Sequence, residues 1–216
     1  MNRIILVTRP KYDDGTEYLS YYASLILKKA DELEISNKDF EGKDANSDKV
    51  TKFIEKQDPK LLVINGHGDE NSIDGHREVL FSVNKNLEFL KGRITFARAC
   101  HSAVNLGKEA VKNNDGCFIG YVSPFSFWIN EKWSAKPSND KTAALFLEPS
   151  NKIVESIIDG FSTEKAEEKS RKMMIENMKK ILKMEEKKEP EAMGLLQVLW
   201  NNFDGQVLLG NGSAVF

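Results

Sequence analysis

The chain contains little cysteine and little histidine: two cysteines and three histidines among 216 residues. Two cysteines cannot build the disulfide framework of a small secreted protein, so we expect both thiols to be free. The three histidines form no helical pair of the H-E-x-x-H kind, and their spacing matches no zinc-binding pattern. We therefore expect no metal site and no cofactor.

The sequence also lacks long apolar runs and a strong net charge. No stretch approaches the roughly 20 apolar residues that cross a membrane. A strand pattern begins at Ile4, so we expect no signal peptide before it. The net charge of −2 gives no general reason to expect nucleic acid or a membrane as partner. The expected location is the cytoplasm, where a free thiol stays reduced.

Short apolar runs alternate with stretches of helical periodicity. Residues 4–7, 61–64, 94–99 and 117–122 are apolar and rich in β-branched side chains, which predicts strands buried in a parallel sheet. Residues 17–33 show helical spacing after the first of these strands. The alternation predicts an α/β fold with a mainly parallel sheet covered by helices.

The C-terminal third has a different character. We expect one domain over residues 1–216, on which residues 129–200 form a divergent loop and helical region. A charged helix predicted over 164–188 carries several methionines, and five of the six in the chain lie in this region. The favoured interpretation is an amphipathic helix packed on the domain, with methionine filling irregular gaps. The alternative is a docking surface for a regulatory partner protein.

Two of the predicted strands end in residues that can carry out chemistry together. Residues 61–68 read LLVINGHG, and residues 94–103 read ITFARACHSA. If the two strands are parallel neighbours, His67 and Cys100 lie at the sheet edge where α/β proteins bind ligands. A thiol beside an imidazole is the minimal arrangement for covalent attack on a carbonyl carbon.

Each member of this pair has alternatives. Gly66 and Gly68 flank His67 and indicate a turn with a close backbone approach. His67 can act as a general base, as a structural histidine or, least favoured, as a metal ligand. Cys100 can be an inert buried thiol, or a nucleophile favoured by a helix that we expect to begin at Ser102. Backbone N–H groups at that helix start could bind an oxyanion.

Two further residues could contribute to this site, Cys117 and Arg98. Cys117 begins its strand and therefore belongs to the opposite edge of a parallel sheet, so we expect it to be structural. Arg98 precedes Cys100 by two and would share its face on a strand. It could bind a substrate carboxylate as a fork. Equally, it could pair with one of three nearby acids, which are Asp69, Glu70 and Asp74.

These residues resemble a known group of enzymes. The segments 61–68 and 94–103 are similar to the caspase–gingipain clan of cysteine peptidases, which includes metacaspases and bacterial CHAT domains. The run Cys100-His101-Ser102 is similar to that of metacaspases. The resemblance covers about residues 1–125 and the C-terminal strand. Its departures are the sequence RACHS at 98–102 and a His–Cys separation of 33 (100 − 67), both unlike true caspases.

The resemblance implies both a fold and an activity. The fold would be a caspase-like three-layer sandwich, and the activity that of a single-chain cysteine endopeptidase acting on a protein or peptide. By motif position, His67 would be the general base and Cys100 the nucleophile. The backbone N–H groups of Gly68 and Cys100 would form the oxyanion hole. A catalytically silent caspase-like module for protein regulation is the alternative, and a nucleotide-binding domain is disfavoured because its glycine-rich motifs are missing.

Overall fold

The most apolar segments of the chain form the middle of a six-stranded sheet. The computed structural model describes residues 3–113, 116–189 and 192–216. Its strands are β1 (Ile4–Arg9), β2 (Ser36–Glu41), β3 (Leu61–Asn65), β4 (Ser72–Asp74), β5 (Val79–Ser82), β6 (Ile94–Arg98), β7 (Cys117–Tyr121) and β8 (Gln206–Gly210). Every residue of β1, β3, β6 and β7 is buried, which explains why these strands are apolar on both faces.

The sheet has the strand order β2-β1-β3-β6-β7-β8, and β4 pairs with β5 in a separate small sheet. All neighbours in the large sheet are parallel except β7 and β8, which are antiparallel. The segments that follow β1, β3, β6 and β7 therefore leave the sheet along one edge. The strand order reverses at β1, which has β2 on one side and β3 on the other, and such reversals open a crevice at the carboxyl edge.

Helices cover both faces of the sheet. They are α1 (Asp14–Glu32), α2 (Ser47–Gln57), α3 (Leu106–Val111), α4 (Lys141–Ile158), α5 (Thr163–Glu186) and α6 (Leu195–Gly205). Ile26 of α1 and Ile157 of α4 belong to the apolar cluster on one face. Ile54 of α2 and Leu106 of α3 belong to the cluster on the other. The α/β fold with a mostly parallel sheet is thus confirmed, and its layers are compatible with a three-layer sandwich.

Two polar segments form strands that their composition does not indicate. Residues 36–41 form the edge strand β2, although most of this stretch is polar, because only Phe40 among them is buried. Residues 65–76 are rich in Gly, Asp and Asn, a composition typical of loops, yet they contain β4. An edge strand and a short surface strand keep few buried positions, so their sequences carry little of the apolar pattern that marks the central strands.

The C-terminal helices pack on the domain through their apolar sides. Met174 and Met178 of α5 are only 2% and 8% exposed. They lie in a cluster with side chains of α4 and α6, such as Phe146 and Leu199. The two methionines therefore fill the space between the helices, as the packing interpretation expects, and docking of a regulatory partner protein stays a prediction. None of the helices in the described ranges is both long enough and apolar enough to span a bilayer.

Candidate active site

The loops that follow β3 and β6 meet at the carboxyl edge of the sheet. Asn65 and Arg98 are opposite each other in the β3–β6 register. His67 and Cys100 each lie two residues further along the chain. Both residues line one cavity of about 60 Å³, so the structure brings the predicted pair together. The remaining lining residues are Gly15, Thr16, Leu19, Gly66, Arg98, Ala99, Phe125 and Phe127.

Two glycines allow the β3 loop to lie against its neighbours. A Cβ atom on Gly66 would be 2.1 Å from the carbonyl oxygen of Asp74. A Cβ atom on Gly68 would be 2.9 Å from the carbonyl oxygen of Cys100. Both positions therefore have the close backbone approaches predicted from the sequence. Gly66 lets the loop close on Asp74, and Gly68 lets it lie against the segment that carries Cys100.

Cys100 lies in a turn, and its thiol is partly exposed. The Sγ atom donates a hydrogen bond to the carbonyl oxygen of Phe125 at 3.7 Å. The prediction that a helix begins at Ser102 is wrong, because α3 begins at Leu106. The Ser102 hydroxyl is buried and donates to the carbonyl oxygen of Ala99 at 3.0 Å instead of capping a helix. A helix dipole at Cys100 therefore contributes nothing to thiol activation here.

Two backbone N–H groups near His67 and Cys100 find no acceptor in the described parts of the chain. Neither the Gly68 N–H nor the Cys100 N–H donates a hydrogen bond to any of the residues described by the structure. By contrast, the next amide along the chain, that of His101, donates to the carbonyl oxygen of Ser123 at 3.2 Å. Unpaired amides next to a nucleophile can receive a developing negative charge on oxygen.

The imidazole of His67 contacts a carboxylate that the sequence analysis missed. The His67 Nε2 atom lies 2.7 Å from Oδ2 of Asp13, and the two side chains are 54% and 40% exposed. Nδ1 of His67 forms no hydrogen bond with a described residue. Within the described ranges, no three His, Cys, Asp or Glu side chains are placed to hold a metal ion.

Asp13 reaches His67 because it caps the helix that follows β1. It is the N-cap residue of α1, and its side chain forms a capping box with Thr16. An aspartate three residues before a threonine at the start of an amphipathic pattern is a recognisable cap signal. That signal could have predicted the helix start. Nothing in it indicates contact with a histidine 54 positions away.

Arg98 is fully buried and has no carboxylate partner among the described residues. Its Nη2 atom donates to Oδ1 of Asn151, whereas its Nε and Nη1 atoms find no acceptor in the described parts of the chain. The predicted alternative, in which Asp69, Glu70 or Asp74 neutralises Arg98, is therefore wrong. The Asp69 carboxylate instead accepts hydrogen bonds from two N–H groups of its own turn.

The electrostatic state of this guanidinium follows from its burial. Desolvation lowers the pKa of Arg98 to about 10, although the nearby Tyr121 and Tyr22 oppose the shift. Arg98 therefore remains a cation at neutral pH, and it is one of the residues that line the cavity. A cavity of about 60 Å³ exceeds the roughly 10–15 Å³ that one water needs.

The second cysteine lies away from this edge. Cys117 is the first residue of β7 and is 1% exposed. Burial raises the pKa of its thiol to about 11. The structure thus places Cys117 at the opposite edge from Cys100, as the sequence predicted.

Comparison of the chain with models of protein families finds no match, and a search of curated proteins also finds none.

The close approach at Gly66 leads to a prediction about stability. Gly66→Ala places a methyl group 2.1 Å from a backbone oxygen that cannot move freely. We expect it to lower the free energy of unfolding by about 3 kcal/mol, the upper part of the usual range. Gly42→Ala is the control: its φ is +54° but its Cβ would have open space, so it should cost only about 1 kcal/mol. Urea denaturation measures both, and equal losses would contradict the role of the contact.

The two thiols should differ in reactivity. Iodoacetamide at neutral pH should alkylate Cys100 faster than Cys117 by roughly a hundredfold or more, because burial both shields Cys117 and raises its thiol pKa. Peptide mapping by mass spectrometry after timed quenching gives the two rates. Labelling in urea, where both thiols are exposed, is the control and should remove the difference. Comparable rates in the folded protein would contradict the assignment.

Proposed function

We propose that this protein is a cysteine endopeptidase, with Cys100 as the nucleophile and His67 as the general base. The observation that carries the proposal is the shared cavity of these two side chains, on neighbouring loops at the carboxyl edge of a parallel sheet. A partly exposed thiol beside an imidazole with a free ring nitrogen fits acyl transfer better than any other reaction class we considered.

The proposed reaction has two stages. His67 takes the proton of the Cys100 thiol, and the thiolate attacks the carbonyl carbon of a peptide bond to form a tetrahedral intermediate. The C–N bond then breaks, the imidazolium gives its proton to the leaving amine, and a thioester remains on Cys100. A water molecule, deprotonated by His67, hydrolyses the thioester and restores the thiol.

In the proposed mechanism, two backbone amides bind the oxyanion. The N–H groups of Gly68 and Cys100 flank the nucleophile and donate to no described residue. In the proposal they donate to the oxygen that becomes negative during attack. Donors that are already in position cost little reorganisation in the transition state, and each is worth about 3 kcal/mol in known acyl-transfer enzymes.

The resemblance of the two motif segments to caspase–gingipain peptidases agrees with this function. A mostly parallel six-stranded sheet flanked by helices is compatible with the caspase-like sandwich that the resemblance implies. The mechanism needs a reduced thiol, which the cytoplasm maintains, and we propose that location. The proposed substrate is an exposed peptide segment.

Arg98 suggests which peptides are cleaved. Arg98 is a fully buried cation without a carboxylate partner among the described residues, and it is one of the residues that line the cavity with Cys100. A carboxylate entering the cavity would form the bidentate contact that a guanidinium favours and would neutralise its charge. A lysine or arginine side chain would instead meet a like charge. We therefore propose a preference for Asp or Glu immediately before the cut.

One observation favours a second candidate, a catalytically silent module. The thiol of Cys100 donates to the carbonyl of Phe125 and makes no hydrogen bond to His67 in the described structure. In a silent module, His67→Ala would leave Cys100 alkylation unchanged and no peptide would be cleaved. Contacts between catalytic groups are often looser without substrate, so we rank the peptidase first.

The catalytic roles predict a characteristic pattern of mutants. His67→Ala and Cys100→Ala should each reduce peptide cleavage by at least about 10³-fold, and the double mutant should be no slower, because the two groups act as one unit. Cys117→Ala is the matched control and should retain activity. Turnover of a fluorogenic peptide library, with thermal unfolding to check the fold, measures this. Substantial activity in either single mutant would refute the pair.

The specificity prediction uses a substitution that preserves volume. Arg98→Met should reduce cleavage after Asp or Glu by at least about 30-fold, equivalent to about 2 kcal/mol, relative to cleavage after neutral residues. It should not lower the free energy of unfolding, because it removes a buried charge without an ionic partner.

Arg93→Met is the control for this prediction, since Arg93 pairs with Asp58 at 2.7 Å away from the cavity. It should leave the substrate preference unchanged. A wild-type preference for Lys or Arg before the cut, measured with a positional-scanning library, would exclude the role of Arg98 while leaving the His67–Cys100 pair intact.

A further inference from the structure

The two carboxylate oxygens of Asp13 have separate partners. Oδ1 accepts a hydrogen bond from the backbone N–H of Thr16 at 2.7 Å, which caps α1. Oδ2 lies 2.7 Å from Nε2 of His67. A helix cap requires only one of these oxygens, so the contact with the imidazole is additional to the structural role of Asp13.

We infer that Asp13 is the positioning residue of His67, fixing both the ring orientation and the tautomer that makes it a base. The inference rests on the proposed peptidase function. An ionised carboxylate only accepts hydrogen bonds, so Nε2 must carry a proton to bond with it. In neutral His67 the lone pair is then on Nδ1, the nitrogen without a partner among the described residues. Nδ1 becomes the atom that receives the thiol proton.

The surroundings of Asp13 favour its ionised form. Partial burial opposes ionisation, but hydrogen bonds from His67 and Thr16 outweigh it and lower the pKa of Asp13. The N-terminus of α1 also attracts negative charge. Asp13 therefore stays an anion when His67 takes up the thiol proton, and it stabilises the resulting imidazolium without itself accepting a proton.

Asp13 and the His67 ring are each held by a neighbouring contact. The capping box ties it to the first turn of α1. The ring of the preceding Tyr12 packs 5.8 Å from the imidazole, measured between centroids. The other carboxylate near His67, that of Asp74, forms no hydrogen bond with the imidazole, and desolvation raises its pKa. Asp13 is thus the carboxylate that can orient the ring.

Asp13→Asn separates the two roles. Asparagine caps helices as well as aspartate does, so its single oxygen can keep the Thr16 N–H and present its NH₂ group to His67. Nε2 must then be the acceptor, and the proton moves to Nδ1. We expect kcat to fall by about 10²- to 10⁴-fold with little change in KM, as when a base is held in the wrong tautomer.

Long-range ¹H–¹⁵N NMR of histidine-labelled protein reads the tautomer without any need for turnover. The wild-type protein should show His67 in the Nε2–H form, and Asp13→Asn should shift it to the Nδ1–H form. Asp13→Ala, which cannot bond to the ring, should lose the single tautomer and also reduce kcat. A wild-type His67 in the Nδ1–H form would overturn the inference, as would an unchanged kcat in Asp13→Asn.

Two control variants separate positioning from general effects. Asn46→Ala removes the cap of α2, where Asn46 accepts from the Lys49 N–H at 3.0 Å. It should match the stability loss of Asp13→Ala while leaving the tautomer and kcat unchanged. Asp74→Asn removes a nearby negative charge without removing a bond to the ring, and it should preserve the Nε2–H form.

The outcomes distinguish this inference from the proposed function. If the wild-type protein cleaves no peptide and Cys100 is inert, the peptidase proposal fails, and with it the role of Asp13 in catalysis. If the wild-type protein cleaves peptides and Asp13→Asn is equally active, only the positioning role fails.

Discussion

Parallel pairing of β3 with β6 is the constraint on which the candidate site depends. The register places Asn65 opposite Arg98, so the segments that follow β3 and β6 leave the same edge of the sheet side by side. His67 and Cys100 follow their strands by two residues each, which places them beyond that edge together. A one-residue slip would turn every side chain of β6 to the other face. It would turn the Arg98 side chain to the opposite face of the sheet. The register therefore determines the surroundings of the candidate site as well as the packing of the core.

The reversal of strand order at β1 brings a third side chain, that of Asp13, to the candidate site. Because β1 lies between β2 and β3, the segment after β1 opens directly beside the segment after β3. Helix α1 begins there, and its cap carboxylate is within hydrogen-bond distance of the imidazole. One aspartate therefore caps the start of a helix and contacts the imidazole of His67. Fold and site share this residue, and its position follows from topology rather than from any local motif around His67.

The strands that carry the site could be predicted because burial on both faces makes them short, apolar and β-branched. Edge strand β2 could not be predicted, since only Phe40 of its six residues is buried and the strand lacks the apolar pattern of the central ones. Ser102 resembles a helix cap in the sequence, but its hydroxyl donates to the carbonyl oxygen of Ala99, and α3 begins later, at Leu106. The contact of Asp13 with His67 joins positions 54 apart, and sequence periodicity records only local neighbours.

Arg98 is fully buried, at a position where desolvation makes a charge unfavourable for stability. Among the described residues, its side chain has one hydrogen-bond partner, the neutral amide of Asn151, which itself donates to the carbonyl oxygen of Tyr22 at 2.7 Å. A carboxylate at position 151 would neutralise the guanidinium, whereas the amide holds it in place and leaves its charge uncompensated. Departures from favourable local energetics are concentrated at functional sites. A buried guanidinium without a carboxylate partner among the described residues is such a departure, and it marks this edge of the sheet as the part of the fold in which to test for function.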